Sequence, residues 1–174
     1  MLENDNITLR AVEPDDLKRL YEWENDCALW RFGNTVTPYS KYALEEFVRN
    51  ADKDIYTAKQ LRLMIESKED CATVGCVDLF DFDFFHRRVA LGVLIDKRYR
   101  RRGFAAQTLS LISDYCFSFL NLHQVYCHVP ADNYASLKLF RNADFEPAGV
   151  LKHWLSAADG YTDVLFLQKI NPNK

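Results

Sequence analysis

The stretch Val89 to Phe119 constrains this chain more than any other: VALGVLIDKRYRRRGFAAQTLSLISDYCFSF. It opens on an unbroken apolar run, Val89 to Ile95. Such a run suits a strand buried on both faces, although periodicity alone does not separate it from a buried helix segment. It closes on a helical pattern, because Ala105, Leu109, Ile112, Cys116 and Phe119 recur three or four apart and share one face. Between the two lies a cationic turn with one glycine, Arg100-Arg101-Arg102-Gly103-Phe104-Ala105, running on to Ala106. A strand that enters a helix through such a turn makes an anion site. The first amides of the helix have no intrahelical acceptor, and the macrodipole is positive there. Gly103 permits a backbone conformation that a side chain resists, and it lets a phosphate approach closely.

A chain of 174 residues, nearly half of them apolar, has enough material for one domain with a substantial core, so residues 1–174 are read as a single domain. The formal charge of only −3 argues against general nucleic-acid binding. Positive charge is concentrated between Lys97 and Arg102 instead. The five cysteines form no CxxC pair, and Cys71, Cys76, Cys116 and Cys127 sit mostly in apolar runs. Reduced, buried thiols are expected there. Met1 to Arg10 is polar and no apolar run is long enough for a membrane span, so the expectation is a cytoplasmic protein without membrane attachment. No metal-ligand spacing stands out. Whether the chain is a monomer or a homo-oligomer is not fixed by its sequence.

Taken in order, Ile7 to Val12 predicts a first strand, and Glu13-Pro14-Asp15-Asp16 opens a helix carrying Leu17, Leu20, Tyr21 and Trp23. Cys27 to Pro38 reads as an irregular packed loop around Gly33, and Ser40 caps a second helix with Leu44, Phe47, Val48 and Ala51 facing inward. Leu61–Glu66 and Thr73–Asp81 predict two strands, with Gly75 marking a bulge or close packing. Asp78, Asp81 and Asp83 follow, interleaved with Leu79, Phe80, Phe82 and Phe84. On a regular strand Asp81 and Asp83 project together, and Asp78 joins them only through a bulge. His86-Arg87-Arg88 is a polar turn, Gln124–Val129 a further strand, Asn133 to about Asn142 a helix. Glu146–Ser156 and Thr162–Ile170 close the chain as a hairpin around Asp159-Gly160. The alternation predicts a mixed α/β domain.

The turn resembles the central motif of the GNAT superfamily, the acyl-CoA-dependent N-acetyltransferases. That motif places Gln or Arg, two residues, Gly, one residue, then Gly or Ala after a hydrophobic strand; here Arg100, Gly103 and Ala105 fill it. A second segment, Asn133 to Glu146, resembles the family's closing segment. The resemblance implies a mixed sheet of six to seven strands, splayed between Val89–Ile95 and Gln124–Val129 and flanked by about four helices. It implies acetyl-CoA as co-substrate, with Val93, Leu94 and Ile95 orienting the thioester and the turn from Arg100, Arg101, Arg102, Gly103, Phe104, Ala105 to Ala106 gripping the diphosphate. Asn133, Ser136 and Phe140 join them as cofactor contacts, and Trp30, Phe32 and Tyr39 are candidate walls of the acceptor site. Two departures stand out. Asp144 replaces the family's helix-ending Gly, a left-handed position that Asp tolerates less well. Phe140 replaces a Tyr thought to protonate the departing thiolate, which Phe140 has no proton to do.

Acetyl transfer to an amine needs a neutral nucleophile, and an alkyl ammonium of pKa about 10 must first lose a proton. Asp78, Asp81, Asp83 or Glu66 is placed by type to take it, with His128 and His86 as further candidates. Tyr134 or Ser136 offers a hydroxyl for the leaving thiol. A Cys127 nucleophile is the weaker idea, because VYCHV reads as core. The resemblance extends over nearly the whole chain to the polyamine acetyltransferases, and three acids suit a polycation. The chain lacks the acidic pair that this group carries near Gly33–Pro38, and has Ala90 where the group has Glu. These losses weaken the polyamine assignment without replacing it, and a polyamine or diamine such as spermidine is the leading acceptor. A protein N-terminus is the alternative, and a non-catalytic acyl-CoA sensor is a different class that Phe140 keeps open.

Overall fold

The computed structural model describes residues 2–32, 35–51, 54–157 and 160–173. Its frame is a seven-stranded sheet. In chain order the strands are β1 (Ile7–Ala11), β2 (Leu61–Ser67), β3 (Thr73–Asp83), β4 (Arg88–Ile95), β5 (Gln124–Pro130), β6 (Glu146–Ala157) and β7 (Gly160–Ile170). Their spatial order is β1-β2-β3-β4-β5-β7-β6. Every neighbouring pair is antiparallel except β4 with β5. Four helices are two turns or longer: α1 (Leu17–Glu24), α3 (Lys41–Arg49), α5 (Phe104–Asp114) and α6 (Tyr134–Asn142). Two single turns, α2 (Cys27–Trp30) and α4 (Ile55–Ala58), raise the expected count of about four to six. Among the described residues no helix is long and apolar enough to cross a membrane.

The parallel pair explains the shape. β4 and β5 are in register only at Arg88↔Gln124, Val89↔Val125 and Ala90↔Tyr126. Beyond Ala90 the strands part, while β4 stays paired with β3 as far as Ile95. The expected apolar run is buried at Val89, Ala90 and Leu91, and only half-buried from Gly92 to Ile95, where the gap opens. Gly75 sits opposite Ile95 because a side chain there would not fit: a Cβ would fall 2.1 Å from the Leu94 carbonyl oxygen.

Alternation along the strands sends two apolar sets to opposite faces. Leu79, Leu91, Val125, Cys127 and Val129 pack with Leu109 and Ile112 of α5 and with Leu137 and Phe140 of α6. Met64 and Cys76 pack with Leu20 and Trp23 of α1, and with Phe47 and Val48 of α3. Each fully buried Leu or Ile contributes about 1.5–3 kcal/mol.

Local chemistry sets the helix ends. The Ser40 hydroxyl accepts from the Ala43 amide at 3.1 Å and starts α3 as expected. Asp144 has φ 64, so the left-handed turn after α6 is retained with Asp in it, and Phe145 N–H reaches back to the Phe140 carbonyl at 3.0 Å. Two expectations are corrected. Phe119 does not face the core with Ile112 and Cys116; it is 61% exposed. The last turn, Tyr115–Phe119, is π-helical, and the extra residue rotates Phe119 outward. Cys71 is exposed, at φ 53 in the turn before β3, whereas Cys76, Cys116 and Cys127 are buried and free. Gly33 and Asp159 lie outside the described residues.

Candidate functional site

The turn after β4 is built by one carboxylate. Asp96, buried, accepts from the backbone and guanidinium of Arg98 at 3.0, 3.0 and 2.6 Å and from the indole N–H of Trp23 at 3.1 Å. The Arg98 hydrogen bonds hold its pKa well below the usual carboxylate range, against the opposing effect of burial. The chain then passes through Arg100, whose Nε donates to the Ile95 carbonyl at 3.1 Å, and Arg101, at φ 64. Gly103 has φ +82 and is the N-cap residue of α5, where no side chain caps the helix. The first intrahelical bond runs from the Gln107 amide to the Gly103 carbonyl at 3.2 Å. The amides of Phe104, Ala105 and Ala106 are therefore the helix's free donors. Arg102 lies over the Tyr99 and Phe104 rings and pairs with Glu69 at 2.9 Å. Arg101 has no ion pair among the described residues. These donors and cations fit a phosphate-bearing acyl carrier.

The other expected cofactor residues surround the gap. Val93, Leu94 and Ile95 form its β4 wall, and their side of the strand has no strand partner among the described residues. The Asn133 side chain accepts from the Ser136 amide at 3.2 Å, so Asn133 is the cap of α6 and Ser136 lies in the first turn. Phe140 is not at a surface: it is 4% exposed and packs edge-on against Phe145, with centroids 5.1 Å apart. Tyr134 is 77% exposed, at the start of the same helix.

The three aspartates do not form one cluster. Asp78 receives Arg62 at 2.6 and 3.0 Å, and Arg62 also pairs with Glu24 of α1. Register is lost between Phe80 and Asp83, and Asp81 occupies that bulge at φ 51, exposed. The bulge returns Phe82 to the core beside Leu79 and leaves Asp83 paired with Arg88 at 3.0 Å. The His86 amide and Arg88 together lower the Asp83 pKa. Asp81 alone of the three carries no ion pair among the described residues. Burial raises the pKa of Tyr126, and the charge of Asp81 raises it further. Phe80, the residue before Asp81, pairs with Ala90, which forms the last pair of the parallel ladder with Tyr126.

On that side of β5, Tyr126 stacks on Phe166 and His128 meets both rings edge-on, at 5.1–5.8 Å, and the three line an open pocket of about 390 Å³ with Arg88, Gln124 and Gln168. His86 is in the β3–β4 turn and does not line this pocket. Glu66 is engaged by Arg10 at 2.7 Å. Burial pushes the Cys127 thiol up to about 12, which removes it as a nucleophile at neutral pH. Trp30 donates to the Glu24 carbonyl at 2.8 Å, while Phe32 and Tyr39 are 45% and 41% exposed. Arg31, beside Trp30, forms an ion pair with Asp132, next to Asn133. This links the segment after α1 to the start of α6. No group of three or more His, Cys, Asp or Glu among the described residues is arranged to hold a metal ion.

Sequence reasoning passed over Arg62, Glu24, Asp96 and Gln107. Asp96 had a local signal: an aspartate directly after a buried strand, two residues before an arginine, is placed for a side-chain-capped turn. Arg62 and Glu24 had none, because their pairing joins positions far apart in the chain.

A parallel pair that parts beside a glycine turn with free helix amides is the arrangement that the resemblance to acyl-CoA-dependent transferases implies. The model described as acetyltransferase (GNAT) domain matches residues 6–146, and the chain belongs to that family. Spermidine N(1)-acetyltransferase of Vibrio cholerae is 27% identical over 161 residues, covering 92% of this chain and 91% of that protein. The Escherichia coli K12 protein of the same name is 28% identical over 148 residues, 85% of this chain and 77% of its own length. The crystal structure of the Vibrio cholerae spermidine N-acetyltransferase in complex with CoA and spermine superposes with a TM-score of 0.87 at 26% identity, covering 97% of both chains. A dodecameric structure of that enzyme gives a TM-score of 0.78 at 26% identity, covering 97% of this chain and 95% of the other.

Proposed function

We propose that this acetyltransferase moves the acetyl group of acetyl-CoA onto a primary amine of a polyamine or diamine such as spermidine, by direct attack. The observation that carries the reading is the parting of β4 from β5 after Ala90, beside the Gly103 turn. Acetyl-CoA supplies the activated acyl group as a thioester. The residues of this chain do the rest. Phe104, Ala105 and Ala106 offer amides to the diphosphate, and Arg100 and Arg101 offer charge. The unpaired edge of β4 at Val93–Ile95 offers backbone donors to the acyl oxygen, and such donors are worth roughly a hundredfold to a thousandfold in rate.

Charge on the acceptor side favours a cation. Glu24 and Asp78 share the single guanidinium of Arg62, which leaves one net negative charge half-sheltered beneath α1. Asp78, held by Arg62, attracts and positions the ammonium. Asp81, without an ion pair, takes its proton through water. Tyr134, exposed at the mouth of α6, or the Ser136 hydroxyl returns a proton to the sulfur. The similarity to two spermidine acetyltransferases over most of their length supports the polyamine acceptor. The dodecameric relative supports a homo-oligomer. Unpaired, buried Cys76, Cys116 and Cys127 agree with a reducing compartment such as the cytoplasm.

Thiol release from acetyl-CoA, measured over polyamines, diamines, amino-acid amides and N-terminal peptides, tests the reading. Fastest release with spermidine or a diamine is expected. Release with peptides alone would transfer the assignment to protein N-termini. Tight acetyl-CoA binding with no release on any amine would make the chain an acyl-CoA sensor, the reading that Phe140 keeps open.

A further inference from the structure

The segment before β1 reaches the cofactor turn. The Asn4 Oδ1 accepts from the backbone amides of Asn6 and Ile7 at 2.8 and 2.9 Å. Backbone amides are obligate donors, so the oxygen of Asn4 is fixed on that side and its Nδ2 on the other. That Nδ2 donates to Gln107 Oε1 at 3.1 Å, and Asn6 Nδ2 donates to the same oxygen at 3.0 Å. Two donors on one atom fix the amide of Gln107 as well: its oxygen faces the N-terminal segment and its Nε2 faces away. Nε2 then lies over Gly103, 3.7 Å from where a Cβ would stand. Neither of its two N–H groups has an acceptor among the described residues. Gln107 is half-buried and lies one turn into α5.

We propose that Gln107 is a further cofactor-binding residue: its side-chain amide, aimed by Asn4 and Asn6, donates to the diphosphate of the acyl carrier above Gly103. This rests on the reading of the turn as the acetyl-CoA site and adds a side-chain donor to its backbone amides. It also gives the residues before β1 a task in cofactor binding. The amide is oriented before the ligand arrives, so little side-chain freedom is lost on binding.

Gln107→Glu separates this role from a structural one. The carboxylate keeps an acceptor for Asn4 and Asn6 but loses both donors and sets a negative charge beside a phosphate. CoA affinity by calorimetry should fall roughly tenfold or more, as for a lost hydrogen bond to a charged group, while the melting temperature of the free protein is retained. The same loss is expected with dephospho-CoA, which keeps the diphosphate and lacks the 3′-phosphate. Gln107→Met, which removes the donors without adding charge, should lower affinity in the same direction and serves if the Glu variant is poorly folded. Wild-type affinity in Gln107→Glu, beside weakened binding in Gly103→Val, would overturn the role of Gln107 and leave the site standing. A loss seen with CoA and absent with dephospho-CoA would overturn the diphosphate contact. Wild-type affinity in a folded Gly103→Val protein would overturn the site itself, and this inference with it.

Discussion

The indole N–H of Trp23, in α1, donates to the carboxylate of Asp96 at 3.1 Å across 73 residues of sequence. Asp96 is the first residue after β4, and its backbone amide is held by the Val74 carbonyl at 2.9 Å. One buried carboxylate thus ties the helix over the acceptor side to the strand end that leads into the Gly103 turn.

This tie has a pH signature. Asp96 is held below the ordinary carboxylate pKa in the fold, chiefly by Arg98. A depressed folded pKa means that the unfolded chain takes up the proton first. The contribution is complete above the unfolded value of about 3.9 and is lost as pH falls toward the folded value. Asp96→Asn should therefore be less stable than wild type at pH 7, and should lose less further stability between pH 5 and pH 3. Denaturant melts at both pH values check this. Parallel acid curves for the two proteins would show that Asp96 does not carry the dependence.

The end of α6 stores strain that can be released. Asp144 adopts φ 64, which costs a residue with a side chain about 1–2 kcal/mol relative to the right-handed region. Its only ion pair among the described residues, with Lys169 at 3.7 Å, is long and exposed on the aspartate side, and such pairs contribute about 0–1 kcal/mol. Asp144→Gly should stabilise the protein by about 0.5–1 kcal/mol, since the added freedom of the unfolded glycine offsets part of the gain. An equilibrium melt showing no gain would mean that the Lys169 contact outweighs the backbone strain.

How much of this was legible in the sequence depended on range. The Val89–Phe119 strand-turn-helix and the Ser40 cap are local, and periodicity and turn chemistry reveal them, whereas the left-handed turn at Asp144 came through resemblance to the family's helix-ending Gly. The parting of β4 from β5 came only through resemblance, because no local pattern states that a parallel ladder stops after Ala90. The acidic trio misled in one respect. Alternation groups Asp81 with Asp83, but the bulge at Asp81 changes the parity of the strand, and Arg62 takes Asp78 from 16 residues away. A π-turn did the same to Phe119 on α5. In both cases a single inserted residue defeats a period that is otherwise obeyed.

Asp78 and Asp81 now have separable effects. Asp78→Asn removes a carboxylate from a half-buried pair and leaves Arg62 with Glu24 alone. We expect a raised KM for spermidine, an unchanged KM for acetyl-CoA and a stability loss of about 1–3 kcal/mol. Asp81→Asn, exposed and without an ion pair, should leave stability within about 0.5 kcal/mol and lower kcat, because Asn accommodates the same left-handed bulge but cannot take a proton. Wild-type steady-state constants in both variants would remove the aspartates from the reaction.

Phe140 gives the sharpest test of the leaving-group chemistry. It is buried against Phe145, so a hydroxyl added by Phe140→Tyr enters an apolar setting at a cost of about 1–3 kcal/mol unless it finds a partner. Under the proposed function, the departing thiolate is such a partner. A thiol of pKa about 8.5 leaves without full protonation, so the wild-type protein turns over without a donor at this position. General acid help typically adds a factor of about a hundred or more. We therefore expect Phe140→Tyr to melt at a lower temperature and to speed single-turnover acetyl transfer at saturating amine, by up to about that factor. The pairing of the two effects matters: a loss of stability with an unchanged or slower transfer would place the new hydroxyl in the core rather than at the sulfur, and would leave proton return to Tyr134, Ser136 or water.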